Sequence, residues 1–397
     1  MRPIVVFAAI PVAALCFAAG AINLRSPSVV TTMTSTAAPG SVRALQDQLQ
    51  RQPRDAGSWS ALGSAYVEQA RLSGDPTLYV KADGAIAEAL RLTPADPNAL
   101  SSRGALNAAR HDFHAALADA DAALSISPAS ADAMLVRVDA LTELGRYGEA
   151  LTAARAADDL RPGVASFARL SYQFELRGNL VGAARLMQAA LDASSSAADR
   201  AFALVHLGDL ARISGDAGVA RRSYGAALVA VPGVLGAQVG LARLDISAGN
   251  VSSALALLAE VVRRSPLPAY VGEYGDLLAA TGHKTDAAAQ YAVAQASVLL
   301  STNAGVRTDL ETALFAADHG DPAVALAAAT REWAARHSIH VADALAWALH
   351  VNGRDVEALV YSNKALALGS RDPLFRHHHF VIVSAVAAST TSARSSS

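Results

Sequence analysis

Four arginines in the middle of the chain, Arg169, Arg177, Arg212 and Arg243, are the side chains best suited to ligand recognition. A guanidinium group presents a planar fork of donors that matches a carboxylate in a bidentate arrangement. If these arginines share one surface, they predict a site for an acidic segment or a C-terminal carboxylate. The alternative is that they are solvated or paired locally, for example Arg212 with Asp209 or Asp216.

Three histidines near the C-terminus, His337, His340 and His350, are the other residues that could do chemistry. His337 and His340 could share a helical face, but Ser338-Ile339 resembles a junction between helices, and no further metal ligand is evident. We therefore expect no metal and no cofactor.

The motifs of several enzyme classes are absent from the sequence. There is no His-Glu-x-x-His, no Gly-x-Ser-x-Gly and no phosphate-binding glycine loop. Cys16 is the only cysteine and lies near the N-terminus, which leaves no cysteine nucleophile or internal disulfide in the body. We expect a non-catalytic protein. The alternative is an accessory subunit or a cryptic hydrolase whose site lies in irregular C-terminal repeats.

The elements that would position these residues repeat at a fixed interval. Pro94, Pro128 and Pro162 are separated by 34 residues each, and Pro232 and Pro266 by the same interval. Runs of alanine and leucine precede these prolines. A fixed period of this length predicts a solenoid, in which each helix pair buries its apolar face against its neighbours.

The markers inside the repeats resemble those of the tetratricopeptide-repeat family. The first clear unit has Trp59, Leu62, Gly63 and Tyr66 at the spacing Trp-x-x-Leu-Gly-x-x-Tyr. Later units carry a turn of the kind Gly145-Arg146-Tyr147-x-x-Ala150. The match covers about residues 42–372 and amounts to roughly nine helix pairs. The resemblance implies an all-α, right-handed superhelical solenoid of stacked helix-turn-helix repeats.

The resemblance also implies a concave groove that is lined mainly by the first helix of each pair and that binds a peptide or a partner helix. Positions offset from the packing markers by about 100° per residue should face this groove. These groove-facing residues are Arg169, Gln173, Arg177, His206, Asp209, Arg212, Arg243, Glu273 and Asp276.

Composition narrows the class of partner. Apolar residues make up 52% of the 397 residues and aromatic residues only 5%, so the core must consist mostly of Ala, Leu and Val. The 33 Lys and Arg residues nearly balance the 35 Asp and Glu residues, which gives no electrostatic footprint for nucleic acid. We expect a protein or peptide partner and no small-molecule substrate.

The N-terminus predicts export. Residues 4–22 are uncharged and apolar, Arg2 and Arg25 flank them, and Ala19-Gly20-Ala21 fits a cleavage site. A cleaved signal peptide and a retained membrane anchor (residues 1–25) both remain open. Residues 26–41, rich in Ser, Thr and Pro, predict a flexible linker. The body should lie outside the cytoplasm.

The chain ends differently from the repeats. We expect the solenoid to occupy residues 42–375 and residues 376–397 to form an atypical, disordered tail. His377-His378-His379 and an apolar run from Phe380 open this tail. The predicted function is a scaffold that binds a peptide or partner helix in the groove. A purely structural role, with the groove empty or filled by the tail, is a further alternative.

Overall fold

The computed structural model describes residues 41–395, and within this range the regular elements are helices, without strands. Helix α1 (Val42–Arg51) precedes nine consecutive helix pairs, and α20 (Pro373–Ser395) follows them. The first helices of the pairs are α2 (Ala56–Ser73), α4 (Pro97–Ala109), α6 (Ala131–Glu143), α8 (Val164–Leu176), α10 (Ala197–Ile213), α12 (Leu235–Ser247), α14 (Pro268–Ala280), α16 (Asp309–His319) and α18 (Ile339–Val351).

Each second helix packs against the first helix of its own pair and, in the first eight pairs, against that of the next pair. The second helices are α3 (Leu78–Leu92), α5 (Phe113–Ile126), α7 (Tyr147–Leu160), α9 (Leu180–Asp192), α11 (Ala217–Ala230), α13 (Val251–Arg264), α15 (Lys284–Asn303), α17 (Pro322–Ala335) and α19 (Asp355–Leu366). The prediction of an all-α solenoid built from stacked helix-turn-helix pairs is confirmed.

The turn inside most pairs follows from a glycine and the residues after it. Gly178 and Gly215 have φ values of 69° and 88°, in the left-handed region that favours glycine. Asn179 and Asp216 follow directly, and their side chains accept hydrogen bonds from backbone N–H groups in the next helix. A two-residue signal therefore ends one helix and starts the next.

Small residues allow the helices to approach closely. The ring of Tyr224 is fully buried and lies against the backbone positions of Gly208 and Gly240, where an added Cβ would overlap it. The buried alanines of the second helices, among them Ala116, Ala150 and Ala183, fill the remaining space. The scarcity of aromatic residues is thus compensated by short distances between helices.

The solenoid closes on itself. Gly74, in the turn of the first pair, lies against Leu267, and the backbone oxygen of Arg110, in the second pair, accepts a 3.0 Å hydrogen bond from the N–H of Arg307. The turn of the third pair at Gly145 contacts His337, and that of the fourth at Gly178 contacts Gly369. Each turn meets the connection that follows the pair five positions further along the chain. We call this set of interactions the closure contact.

A buried charge cluster lies at the third point of the closure contact. The guanidinium of Arg336 is only 5% exposed and pairs with Glu143 from the third pair and Glu332 from the eighth. It also lies 4.8 Å above the ring of Phe113. The hydroxyl of Tyr147 accepts a 2.7 Å hydrogen bond from the N–H of Ile339. Polar groups on the two sides of the contact therefore satisfy each other.

The C-terminal segment differs from the disordered tail expected from its composition. It forms α20, which packs on α18 and α19 and contributes the buried Phe375, His378 and Ile382. The last helix pair has an apolar face that needs a cover, and α20 supplies it. The exposed Phe380 is on the opposite side of this helix.

Candidate binding site on the concave wall

The nine residues predicted to face the groove lie on α8, α10, α12 and α14 or directly after them. They divide into three groups along the solenoid, and each group makes contacts within the chain.

The first group lies at α8, with Arg169 and Gln173 buried and Arg177, directly after the helix, partly buried. Arg169 forms a bidentate pair with Asp139, with Nε–Oδ1 and Nη2–Oδ2 distances of 2.8 and 2.5 Å. The amide of Gln173 donates to Thr142, and Arg177 donates to the backbone oxygens of Gln173 and Tyr147. Burial raises the pKa of Asp139 to about 6, although the attraction of Arg169 opposes the shift. These donors are directed at acceptors inside the protein.

The second group consists of Arg243, Glu273 and Asp276. Arg243 and Glu273 form a bidentate pair with N–O distances of 2.9 and 3.0 Å. Asp276 accepts a 2.9 Å hydrogen bond from the Tyr291 hydroxyl and lies 3.2 Å from Nε2 of His319. Desolvation raises the pKa of Asp276. Positive and negative groups are therefore interleaved along this part of the wall.

The third group lies on α10 and contains Arg212, whose hydrogen-bond donors are not all used. Nη2 of Arg212 lies 3.9 Å from Asp209, beyond hydrogen-bond length, because Asp209 accepts from the Tyr224 hydroxyl at 2.8 Å. Nε of Arg212 is buried and has no hydrogen-bond partner. His206 packs edge-on against Phe202, and burial lowers its pKa. Arg212 thus combines partial exposure with an unused donor.

The carboxyl group of Glu175, near Arg212, has a raised pKa. The pKa of Glu175 is raised to about 8, first by desolvation and then by the nearby Asp209 and Asp372, whereas Arg212 lowers it. Asp372, on the segment that leads into α20, has its pKa raised to about 6 by desolvation. The closure contact therefore brings an additional carboxyl group toward the wall of α8 and α10.

The C-terminal histidines do not converge on one site. His337 packs edge-on against Trp333 and His340 lies 3.5 Å from the Tyr172 hydroxyl, whereas His350 bonds Asp355 at 2.5 Å. Residues 41–395 contain no group of three or more His, Cys, Asp or Glu side chains placed to hold a metal. The predicted N-terminal signal or anchor lies outside the described residues. Among the described helices, none is long and apolar enough to cross a membrane.

Nothing in the sequence indicated a cavity between the two sides of the closure contact, which we call the axial cavity. It has a volume of about 360 Å³ and is lined mainly by apolar groups from helices on both sides of the contact, including Ala109, Tyr270 and Leu314. The residues that meet here are separated by as many as three hundred positions in the chain. No local spacing could therefore have revealed the cavity.

Known proteins resemble this chain in the arrangement of their helices and not in sequence. No protein-family model and no curated protein matches the chain. Three solved structures are similar: the APC/C hetero-tetramer Cut9-Hcn1, Pseudomonas aeruginosa pilF, and a tetratricopeptide repeat protein from Parabacteroides merdae. Their identities are 15%, 16% and 13%, with TM-scores of 0.45, 0.42 and 0.38. The alignments cover 77%, 58% and 72% of this chain and 58%, 99% and 98% of those chains.

Proposed function

We propose that the protein is a non-catalytic scaffold that binds a segment of a partner protein on the wall formed by α10, α12 and α14. The observation that carries this proposal is the unused Nε donor of Arg212. A buried donor without a partner loses free energy that a ligand oxygen would restore. The Arg212 side chain is 19% exposed, so part of it meets solvent although Nε itself is buried.

The partner segment in this proposal carries a carboxylate. Arg169 and Arg243 are held by Asp139 and Glu273, and Arg177 donates to the backbone of Gln173 and Tyr147, so Arg212 is the groove arginine with an unused donor. One charge-assisted contact sets the position of the segment, and the interleaved charges of Arg243, Glu273 and Asp276 add polar contacts along it. The proposal includes export: residues 1–25 direct the protein out of the cytoplasm as a cleaved signal or a retained anchor.

The test compares partners captured by full-length protein and by two variants. Cross-linking and mass spectrometry should identify a binder that Arg212→Gln loses and that Arg222→Gln, a change on the exposed side of the neighbouring α11, retains. A binder that carries an acidic segment, and whose binding falls when that segment is neutralised, supports the proposal. If every binder survives Arg212→Gln, or both variants lose the same binders, this wall is not the binding surface.

A further inference from the structure

The axial cavity has the size and lining of a ligand site, and it is separate from Arg212. Its volume of about 360 Å³ falls in the range of small-molecule pockets. Most of its lining is apolar, with a few polar side chains among the lining residues. Exposed residues, among them Gly74 and Asp318, lie at its margins, so the cavity communicates with solvent.

The cavity carries more negative than positive groups. Its lining includes four carboxylates, Glu273, Asp276, Glu311 and Asp318, against one residue with a permanent positive charge, Arg71. Arg71 forms two hydrogen bonds with Glu68, which is not part of the lining. Glu273 is neutralised by Arg243, so the excess resides mainly in the other three acids.

Glu311 is the carboxylate least satisfied by the protein. Its Oε2 is buried and has no hydrogen-bond partner, and its Oε1 lies 3.8 Å from Nδ1 of His111. That nitrogen donates instead to the backbone oxygen of Arg307 at 2.8 Å. A buried carboxylate oxygen without a donor is costly, and a cationic ligand would remove that cost.

A second unpartnered polar atom is present in the lining. His378 is 1% exposed, its Nδ1 bonds Asp343 at 2.9 Å, and its ring stacks on Trp347 with 4.1 Å between centroids. Its Nε2 is buried without a partner. Leu374, one helical turn earlier on α20, lines the same cavity. The imidazole is therefore held by the Asp343 hydrogen bond and the Trp347 stack, while its second ring nitrogen, Nε2, has no partner.

We propose that the axial cavity binds a small amphiphilic amine, with its apolar body among the apolar lining groups and its ammonium group at the carboxylate of Glu311. Nε2 of His378 supplies a second polar contact, as acceptor from the ammonium or as donor to a hydroxyl, according to the protonation of the ring. The site belongs to the closed solenoid, because residues from both sides of the closure contact build it.

The test uses three probes with one ring system and different head groups: 2-(1-naphthyl)ethylamine, 2-(1-naphthyl)ethanol and 1-naphthylacetate. Calorimetric titration of the full chain should show that the amine binds about tenfold or more tightly than the acetate, with the alcohol between them. Glu311→Gln should weaken the amine about tenfold and leave the alcohol nearly unchanged.

A pair of glycine variants locates the binding. Gly272 lines the cavity, and a Cβ added there would meet no atom within 4 Å, so the side chain of Gly272→Leu starts in open space at the cavity wall. Gly84 is equally open, lies in α3 and does not line the cavity, so Gly84→Leu is the matched control. Amine binding should be lost in Gly272→Leu and retained in Gly84→Leu, with both variants folded by circular dichroism.

Three results would overturn the proposal: no binding of the amine at millimolar concentration, equal binding of all three head groups, or undiminished binding to folded Gly272→Leu. The first would mean that the cavity holds only water. If Gly272→Leu does not fold, Glu311→Gln decides by itself. A protein that binds the amine but loses no protein partner on Arg212→Gln would support this inference and refute the proposed function.

Discussion

The closure contact can be tested with glycines that have the same backbone conformation in different surroundings. Gly178 and Gly145 have φ values of 69° and 80° and lie in the closure contact, where an added Cβ would come within 3.0 Å of the backbone oxygens of Gly369 and His337. Gly215 and Gly249, at 88° and 79°, occupy the corresponding turns of the fifth and sixth pairs, and a Cβ there meets nothing within 4 Å.

Replacement of each glycine by alanine separates the cost of a left-handed backbone from the cost of a clash at the closure contact. All four variants incur the cost of a left-handed non-glycine residue, about 1–2 kcal/mol. Gly145→Ala and Gly178→Ala add a clash with backbone that cannot rotate away, for which overpacking costs of about 1–3 kcal/mol are usual. The two closure variants should therefore lose roughly 1–3 kcal/mol more than Gly215→Ala and Gly249→Ala.

Urea denaturation followed by circular dichroism measures these differences as shifts in the midpoint. Because repeat arrays can unfold in stages, hydrogen exchange of the segments around His337 and Gly369 should accompany the titrations. The closure variants should lose protection in those segments, and the controls should not. Equal losses of stability in all four variants, with unchanged exchange at His337 and Gly369, would refute the closure contact.

Two further predictions concern buried charges. Arg336→Met leaves Glu143 and Glu332 buried without their counter-charge and should reduce the free energy of unfolding by about 3–5 kcal/mol, measured by the same titration; a loss below 1 kcal/mol would contradict the buried cluster. The pKa of Glu175 is raised from 4.5 to about 8, so its stabilising contribution is complete below pH 4.5 and is lost as the pH rises to 8. Glu175→Gln should therefore stabilise the protein at pH 8 relative to wild type and flatten its stability between pH 5 and 8, and an unchanged profile would count against this burial.

The sequence predicts the repeats because their determinants are local. Gly178-Asn179 and Gly215-Asp216 specify turns by backbone conformation and capping, and the alanines that precede each proline mark the second helices. These signals depend on residues within one pair and its neighbour. The all-α solenoid and its helix pairs could therefore be predicted from the sequence.

The environment of the groove residues could not be predicted in the same way. Whether Arg169 faces solvent or Asp139 depends on the side chain thirty residues earlier, in the preceding pair. The placement of Arg336 against Glu143 depends on the accumulated rotation of five pairs. Small differences in rotation between successive pairs add up along a solenoid, so neither the closure contact nor the axial cavity can be derived from the period of the repeat.

The C-terminal segment shows a second limit of prediction from the sequence, which concerns composition. A Ser- and Thr-rich composition predicted disorder from residue 376, yet α20 is folded because the ninth helix pair exposes an apolar face to it. His378 and Ile382 supply the buried side of this helix. Composition indicates whether a segment would form a helix in isolation, whereas here the packing against neighbouring helices determines its structure.

The most direct test of the closed solenoid is the distance between the two segments that meet at Gly74 and Leu267. Cys16→Ser removes the native thiol, and Ser73→Cys with Pro266→Cys introduces two exposed labelling positions beside Gly74 and Leu267. Spin labels there, measured by double electron–electron resonance, should give one short and narrow distance distribution. A broad distribution centred on long distances would show an open solenoid, and it would remove the axial cavity together with the closure contact.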